Sequence, residues 1–406
     1  MDLLLLYQYV ILIMLCVLLI NFLFNQFLYK DISRFRLSDK IIKDPPLVSV
    51  LIPARDEEIY IEKCIKAFLK QDYPNLEILV LDDNSSDNTY DIVKKISKKN
   101  KNVKIFKGKP LPKGWLGKNF ACYQLSRYAE GEYFLFTDAD THHFQNSISS
   151  SLAAMLKNGL DALCPFPREI MVTIHERMSI PFMNFVILLF MPLALIRKSK
   201  NPLFCTGIGQ CLLFRREVYF GMGGHAAVKG KILEDVQITK KTKEMGYSYM
   251  IFDGRKIIAC RMYKNFKQVF TGYSRFLFSA FDYNVVMITI AVIFFILLFL
   301  LPNIFFPIGL ILYQWPREIL IPIVIQISIV SFIRIINAVR FKEKLFDFLL
   351  SPLSIVYIVF MSFNSVIQTK LGSGIYWKGR TYHAESKSND LDVTEEENDN
   401  LKTRNS

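Results

Sequence analysis

The chain has 406 residues, with 50 Lys+Arg against 37 Asp+Glu for a formal net charge of +13; 51% of it is hydrophobic and 21% charged. Such an average comes from separate apolar and polar blocks, and the length leaves room for two or three domains. With 34 Phe, 19 Tyr, 18 Gly and seven Cys, the disordered, collagen-like and disulfide-scaffold classes are excluded.

Residues 3–29 carry no charge, and the run exceeds the roughly 20 apolar residues that a spanning helix needs. Asp2 precedes it, and Lys30, Arg34, Arg36 and Lys40 come after it. A cleaved signal has a basic start and a small-residue cleavage site instead. An uncleaved N-terminal transmembrane anchor is therefore expected over 1–30, and the positive-inside rule places the chain from residue 30 onward in the cytoplasm.

Residues 46–280 are the only block able to build a large water-soluble core. Strands are expected at 47–52, 77–81, 103–106 and 133–137, and helices at 57–70, 87–99 and 118–128, with Ser85 and Ser86 as cap candidates for the second. Strand–helix alternation at this spacing predicts right-handed βαβ units and a mostly parallel, Rossmann-like α/β sheet. Ligands bind beyond the carboxyl ends of such strands. Met178–Ile196 is also uncharged but carries Pro181 and Pro192, so an interfacial helix is expected there rather than a span.

Tyr283–Pro316 is charge-free over 34 residues. As one straight helix it would measure about 51 Å against a hydrocarbon core of about 30 Å, so Pro302 and Pro307 are expected to break it. Further apolar runs cover Ile319–Ile333 and Phe348–Thr369, separated by Arg334, Arg340, Lys342 and Lys344. About three helical segments are expected over 283–370. Three crossings would export the C-terminus, which leaves open that one run is re-entrant or lies in the interface. Residues 384–406 hold seven acids and three bases and read as a solvated acidic tail. The basic excess elsewhere fits membrane topology and anionic lipid. Basic residues are not clustered with aromatics as nucleic-acid binding requires, and no protein partner is inferable. The seven cysteines include no C-x-x-C pair and give no metal or redox signal.

Three polar clusters fall at the ends of expected strands: Pro53-Ala-Arg55-Asp56-Glu57-Glu58, Asp82-Asp83-Asn84-Ser85-Ser86-Asp87 and Asp138-Ala139-Asp140. Each alone reads equally well as a helix cap. Together they would gather carboxylates at one sheet edge, where they repel one another unless a cation or a hydrogen-bonded ligand sits among them. Asp-x-Asp at a strand end suits Mg²⁺ or Mn²⁺, hard cations that bridge carboxylates to a diphosphate. No Gly-x-x-x-x-Gly-Lys-Ser/Thr is present, so a P-loop is not available.

The series VSVLIPARDEE, LVLDDNSSDNT, FTDAD and LEDVQI resembles the family-2 glycosyltransferases with the GT-A fold. The resemblance implies that Pro53, Arg55, Glu57 and Asp83 line the base and ribose pocket, and that Asp138 and Asp140 form the metal site, with Asp140 the direct ligand. It implies that Lys118 lies near the nucleotide and that Asp235, beside Glu234, is the general base. Gly114-Trp115-Leu-Gly117-Lys118, Ala121-Cys122-Tyr123-Gln124, Gly223-Gly224-His225, Arg261-Met262-Tyr263 and Trp377-Lys378-Gly379-Arg380 resemble the diaponeurosporenoate glucosyltransferase and hopanoid-associated branches. That implies a nucleotide sugar donor, with uridine as a family expectation, and a lipid acceptor at the cell membrane. Processive members carry Gln/Arg-x-x-Arg-Trp; here Gly272-Tyr273-Ser274-Arg275-Phe276 keeps only the Arg, which weakens a polysaccharide synthase reading and leaves Arg275 as a candidate for the diphosphate.

The expected chemistry is displacement at the anomeric carbon with inversion, with Asp235 taking the acceptor proton. Two other classes remain. A nucleotidyltransferase would use the same metal–nucleotide site, although PARDEE has no glycine. A transporter with a sensing domain would need intramembrane charges, which are scarce here. His225 is left between facing the acceptor and capping a loop; His142-His143, close to the Asp-x-Asp, reads as a solvated loop pair rather than metal ligands, and Arg215-Arg216 as a surface pair rather than a phosphate site.

Overall fold

The computed structural model describes residues 2–371, 375–384 and 391–395. Four strands come first in the soluble block: β1 (Val48–Ala54), β2 (Leu76–Asp82), β3 (Val103–Lys107) and β4 (Tyr133–Phe136). They form one half of a seven-stranded sheet in the order β3, β2, β1, β4, followed by Leu212–Arg215, Ala162–Phe166 and Tyr249–Asp253. Only Leu212–Arg215 runs antiparallel to its neighbours. β1 and β2 are buried almost throughout, as strands covered on both faces must be. Alternate residues serve opposite faces: Val48, Val50 and Ile52 pack into one core and Leu51 into the other.

Helix Ile61–Phe68 covers the first of these faces with Ile61, Cys64, Ile65 and Phe68, a spacing that puts all four on one side of the helix. Residues 57–60, expected as its first turn, belong instead to the loop that leaves β1. The second helix likewise starts at Thr89 rather than Asp87, and neither Ser85 nor Ser86 caps it. The second core runs without a break from Leu51, Leu79 and Phe134 to Leu15 and Phe22 of helix Asp2–Leu28 and to Phe299 and Ile358 further along.

Among the described residues, four helical stretches are long and apolar enough to cross a membrane: Asp2–Leu28, Val285–Leu312, Arg317–Phe341 and Leu345–Lys370. The prolines do not break the second. Ile296–Leu300 and Ile308–Leu312 are π turns. A widened turn just before Pro302 relieves the clash of its ring with the carbonyl four residues back, so the axis continues. Segment 178–196 is two helices, Ile174–Phe190 and Leu193–Lys198, with Pro181 inside the first and Pro192 at the break. Asn25, fully buried in helix Asp2–Leu28, holds that break together. Its Nδ2 donates to Leu188 O (2.9 Å) and Met191 O (2.7 Å), and its Oδ1 accepts from Leu193 N (3.0 Å).

Part of the expected solvated tail lies outside the described residues. Leu391–Glu395, however, is a strand paired antiparallel with Arg380–Ala384, which itself pairs with Ile375–Trp377. The Leu-Asp-Val-Thr alternation at 391–394 carried this strand signal, and a count of charges does not register it.

Candidate active site

Strand register brings the three polar clusters to one rim. Ala54 lies opposite Asp82 across β1 and β2, and β4 ends at Phe136 beside β1, so Arg55, Asp83 and Asp138 emerge together. The capping reading holds for part of each loop. Asp87 accepts from Thr89 N (2.9 Å) and Glu58 N (3.0 Å). Asp56, with φ of 52°, accepts from Ser86 N (2.7 Å), and Glu58 accepts from the Asn88 amide (2.9 Å). These bonds lace the first two loops together. Glu57, Asp83, Asp138 and Asp140 are left facing the cavity.

Lys118 lies in the first turn of helix Gly117–Tyr128. Its Nζ is 2.6 Å from Asp138 Oδ1 and 2.8 Å from Glu234 Oε1. Burial alone would lower the pKa of this ammonium, but the carboxylates of Asp138, Glu234 and Asp235 raise it well above the usual lysine value. The loop before Leu212–Arg215 makes room for this cluster: a Cβ on Gly209 would lie 2.7 Å from Lys118 Nζ and 3.2 Å from Asp138 Oδ2. Asp140 is pushed up to about 7 by burial and then by Asp138 and Glu57. Asp235, at the start of helix Glu234–Glu244, is pushed up to about 7 by burial and then by Glu234. Glu169 is pushed up to about 8 by burial and then by Asp140. One of its oxygens has no hydrogen-bond partner.

Opposite these groups sits the turn Lys378-Gly379-Arg380. Arg380 is only 1% exposed and grips Asp83 with both guanidinium nitrogens, one at 3.1 Å. Lys378 pairs with Glu57. Its Nζ donates to Arg55 O (2.6 Å) and its carbonyl accepts from Arg55 Nε (2.9 Å). Left-handed φ values at Lys378 (47°) and Gly379 (76°) make the tight turn that lets both cations point back into the rim.

One cavity of about 1370 Å³ collects all of this. Pro53, Arg55, Glu57, Asp83, Lys118, Asp138, Asp140, Glu234, Asp235 and Arg275 all border it. From the acidic end it continues between apolar side chains, including Ile180, Phe190, Phe276 and Leu277, to Ile288, Val292 and Phe295 of Val285–Leu312 and to Ile355 and Ile358 of Ser351–Lys370. Its size exceeds the roughly 300–1,000 Å³ of an ordinary small-molecule site. Among the described residues no group of three metal-ligating side chains occurs, so any cation there would rest on the two aspartates and a ligand.

Two of the histidines, His225 and His143, are structural. His225 is 2% exposed, with Nδ1 2.9 Å from Tyr219 Oη, and burial followed by Lys118 pushes its pKa down to about 3. His143, read as a surface residue, is buried, 2.9 Å from Thr137 Oγ1 and packed with its ring tilted against Phe68 at 4.5 Å between centroids. Arg215 is bound at the opposite end of the sheet by Leu160 O and Tyr133 Oη. Sequence reasoning missed Glu169, Gly209 and the roles of Lys378 and Arg380. Only the Trp-Lys-Gly-Arg motif offered a signal, and nothing in it names a partner more than 290 residues away.

Comparison with known proteins agrees with this geometry. Residues 49–220 match the family model Glycosyl transferase family 2. The 4,4'-diaponeurosporenoate glycosyltransferase of Staphylococcus haemolyticus is 27% identical over 57% of this chain and 60% of its own. The UDP-Glc:α-D-GlcNAc-diphosphoundecaprenol β-1,3-glucosyltransferase of Escherichia coli is 36% identical over 29% of this chain and 44% of its own. The chain thus spans about half the length of these relatives. Among solved structures, a mannosyltransferase of Pyrobaculum calidifontis, in complex with GDP-mannose and Mn²⁺, superposes with a TM-score of 0.50 at 16% identity, covering 89% of this chain and 99% of that one. The sheet order and the rim accord with both findings: residues 49–220 match the glycosyl transferase family 2 model, and the fold is the mostly parallel α/β fold of GT-A type.

Proposed function

We propose that the protein is a membrane-bound inverting glycosyltransferase that moves a sugar from a nucleotide diphosphate sugar to an amphipathic lipid at the cytoplasmic face of a membrane. The observation that carries this reading is the single cavity that joins Asp138, Asp140 and Asp235 to the apolar side chains of two long hydrophobic helices. A soluble acceptor needs no such corridor, whereas an isoprenoid or other lipid tail would fill it. The relatives named for diaponeurosporenoate and undecaprenol diphosphate acceptors point the same way.

In this reading Arg55, Glu57 and Asp83, with Pro53 beneath, seat the base and ribose, and Arg380 fixes the orientation of Asp83. Lys118 and Arg275 face the diphosphate. Glu234 holds Lys118 in place. Asp235 removes the proton of an acceptor hydroxyl, a step worth about 10²–10⁴-fold in rate when the base titrates near the working pH; its carboxyl sits at about 7. Asp138 and Asp140 supply hard oxygen donors and an excess of buried negative charge that pushes Asp140 up to about 7, which fits Mg²⁺ or Mn²⁺ shared with the diphosphate. When bound, the cation neutralises the leaving group.

The test is a screen of nucleotide sugars against a total lipid extract, with mass spectrometry of the products. A divalent-cation-dependent glycolipid is the expected product. Glycan polymer without glycolipid would overturn the lipid acceptor while keeping the donor half of the proposal.

A further inference from the structure

Four stretches could cross a bilayer by length and composition, but their contacts separate them. Helix Asp2–Leu28 runs beside Arg317–Phe341 in the same direction: Gln8 Oε1 meets Gln326 Nε2 (3.0 Å), and Gln26 Oε1 meets Arg340 Nη1 (2.8 Å). Both helices end at the soluble domain, where Arg340 also reaches Asp253 of the central sheet (3.5 Å). Val285–Leu312 leaves the domain and must run the opposite way, since only the short link 313–316 joins it to Arg317. These three helices make one outward and one inward pass after the anchor, and Phe341 is back on the side where it began.

The fourth stretch keeps to the soluble domain along its length, while also packing on Val285–Phe295 and Ile296–Leu300 of the outward pass. At its start, Asp347 Oδ2 accepts from Arg177 Nε (2.9 Å). In the middle, Tyr357 packs on Phe266 (5.7 Å between ring centroids). Towards its end, Asn364 donates to Ser274 Oγ (2.9 Å) and Ser365 Oγ accepts from Phe278 N (3.0 Å). Eight and ten residues beyond it, Lys378 and Arg380 sit on Glu57 and Asp83. Twenty helical residues span about 30 Å, so a true crossing would carry one end a full bilayer away from the domain. Ser354, Ile355, Ile358 and Met361 are buried against the protein. Phe346, Leu349, Leu353, Phe360, Phe363 and Ile367, at helical spacing, form an outward stripe 53–78% exposed. An apolar stripe of that length facing water would be an aggregation liability; facing the boundary between headgroups and acyl chains it is an anchor.

We propose that Ser351–Lys370 is an interfacial helix lying on the cytoplasmic leaflet, that the chain crosses the bilayer three times, and that this arrangement returns the 378–380 turn to the nucleotide rim. The lipid surface is the partner of the 346–367 stripe. The inference rests on these contacts and the exposed stripe, with the cytoplasmic side taken from the basic residues that follow the first helix, and it stands whether or not the transferase reading holds.

The experiment is depth measurement by spin labelling of the full-length protein in liposomes, using Leu353→Cys, Phe360→Cys and Ile367→Cys, each in a Cys16→Ser background because Cys16 is the exposed native cysteine among the described residues. An interfacial helix gives the three labels one shallow depth. A spanning helix gives a gradient of about 21 Å between positions 353 and 367, from 1.5 Å per residue, and that gradient would overturn the proposal. As a second measurement that needs no label in the helix, a fluorescent protein fused after Ser406 is expected to fold and shine in the cytoplasm, while Gln314→Cys reacts with an impermeant maleimide in intact cells. A dark, exported C-terminus would refute the three-crossing arrangement independently.

Discussion

Gly117 opens its helix without a left-handed φ, so backbone freedom is not why glycine stands there. A Cβ at this position would lie 2.9 Å from Asp83 Oδ2 and 3.3 Å from Arg380 Cζ, and would overlap the guanidinium nitrogen between them. Gly117→Ala therefore has to displace Arg380 from Asp83. Elsewhere in a helix the same change stabilises by about 0.5–1 kcal/mol. Here it strains a pair in which Asp83 and Arg380 are 6% and 1% exposed. Removing one partner of a buried pair costs about 3–5 kcal/mol; alanine shifts the guanidinium without deleting it, so about half of that, ~2 kcal/mol, is expected. If that whole loss is felt at Asp83 as weaker donor binding, it amounts to about 30-fold. The assay is a double-mutant cycle on the KM for the nucleotide sugar, with Arg380→Ala as the second change. In the Arg380→Ala background, Gly117→Ala is expected to cost much less, because the guanidinium it struck is gone and only the 2.9 Å approach to Asp83 Oδ2 remains. Additive losses, or a Gly117→Ala enzyme with unchanged KM, would refute the idea that this glycine exists to admit an arginine from the far end of the chain.

The same geometry sets other outcomes. Asp235→Asn is expected to lower kcat by about 10²–10⁴-fold for hydroxyl acceptors but to spare much of the rate for a carboxylate acceptor, which arrives deprotonated; equal losses on both would remove the base role. Asp140 and Asp235 both titrate near 7 in the fold against about 3.9 unfolded. Their contribution is therefore greatest below pH 4 and is lost as pH rises to 7. Mn²⁺ is then expected to raise the melting temperature more at pH 8, where both are charged, than at pH 5.5; equal shifts would contradict it. Asn25→Leu leaves three backbone groups around Pro192 without partners, at about 1–3 kcal/mol each, so the protein in detergent is expected to melt earlier without a change in donor KM.

The rim was legible because a parallel sheet delivers successive strand ends to one edge. Once 47–52, 77–81 and 133–137 were recognised as strands, the register of Ala54 with Asp82 followed from topology, and Glu57, Asp83 and Asp138 came together without further information. Which acids were loop fasteners was not legible. Asp56, Glu58 and Asp87 have the same chemistry as their neighbours and differ only in where the chain turns them. The π turns around Pro302 were hidden for a similar reason: proline states what it cannot donate, not how the preceding turn adjusts. His143 looked like a surface residue because its burial depends on Phe68, far away in sequence.

The least legible part was the contribution of the C-terminus, and its cause is topological. A sequence read in blocks assigns the nucleotide to residues 46–280 and the membrane to what comes after. The pairing of Arg380 with Asp83 crosses that division. The helix before it is held along its length by Arg177, Ser274 and the backbone of Phe278, so the donor rim is completed only when the last helix is seated. The same helix lines the apolar end of the cavity with Ile355 and Ile358. A lipid tail that pushes on these side chains would press on the element that delivers Arg380. On the proposed function, acceptor and donor sites would share one wall, and coupling between them is expected in both directions with equal magnitude, as linkage requires. Donor affinity measured with and without a saturating long-chain lipid should differ by the same factor as lipid affinity measured with and without nucleotide. In Arg380→Ala that factor should fall towards one.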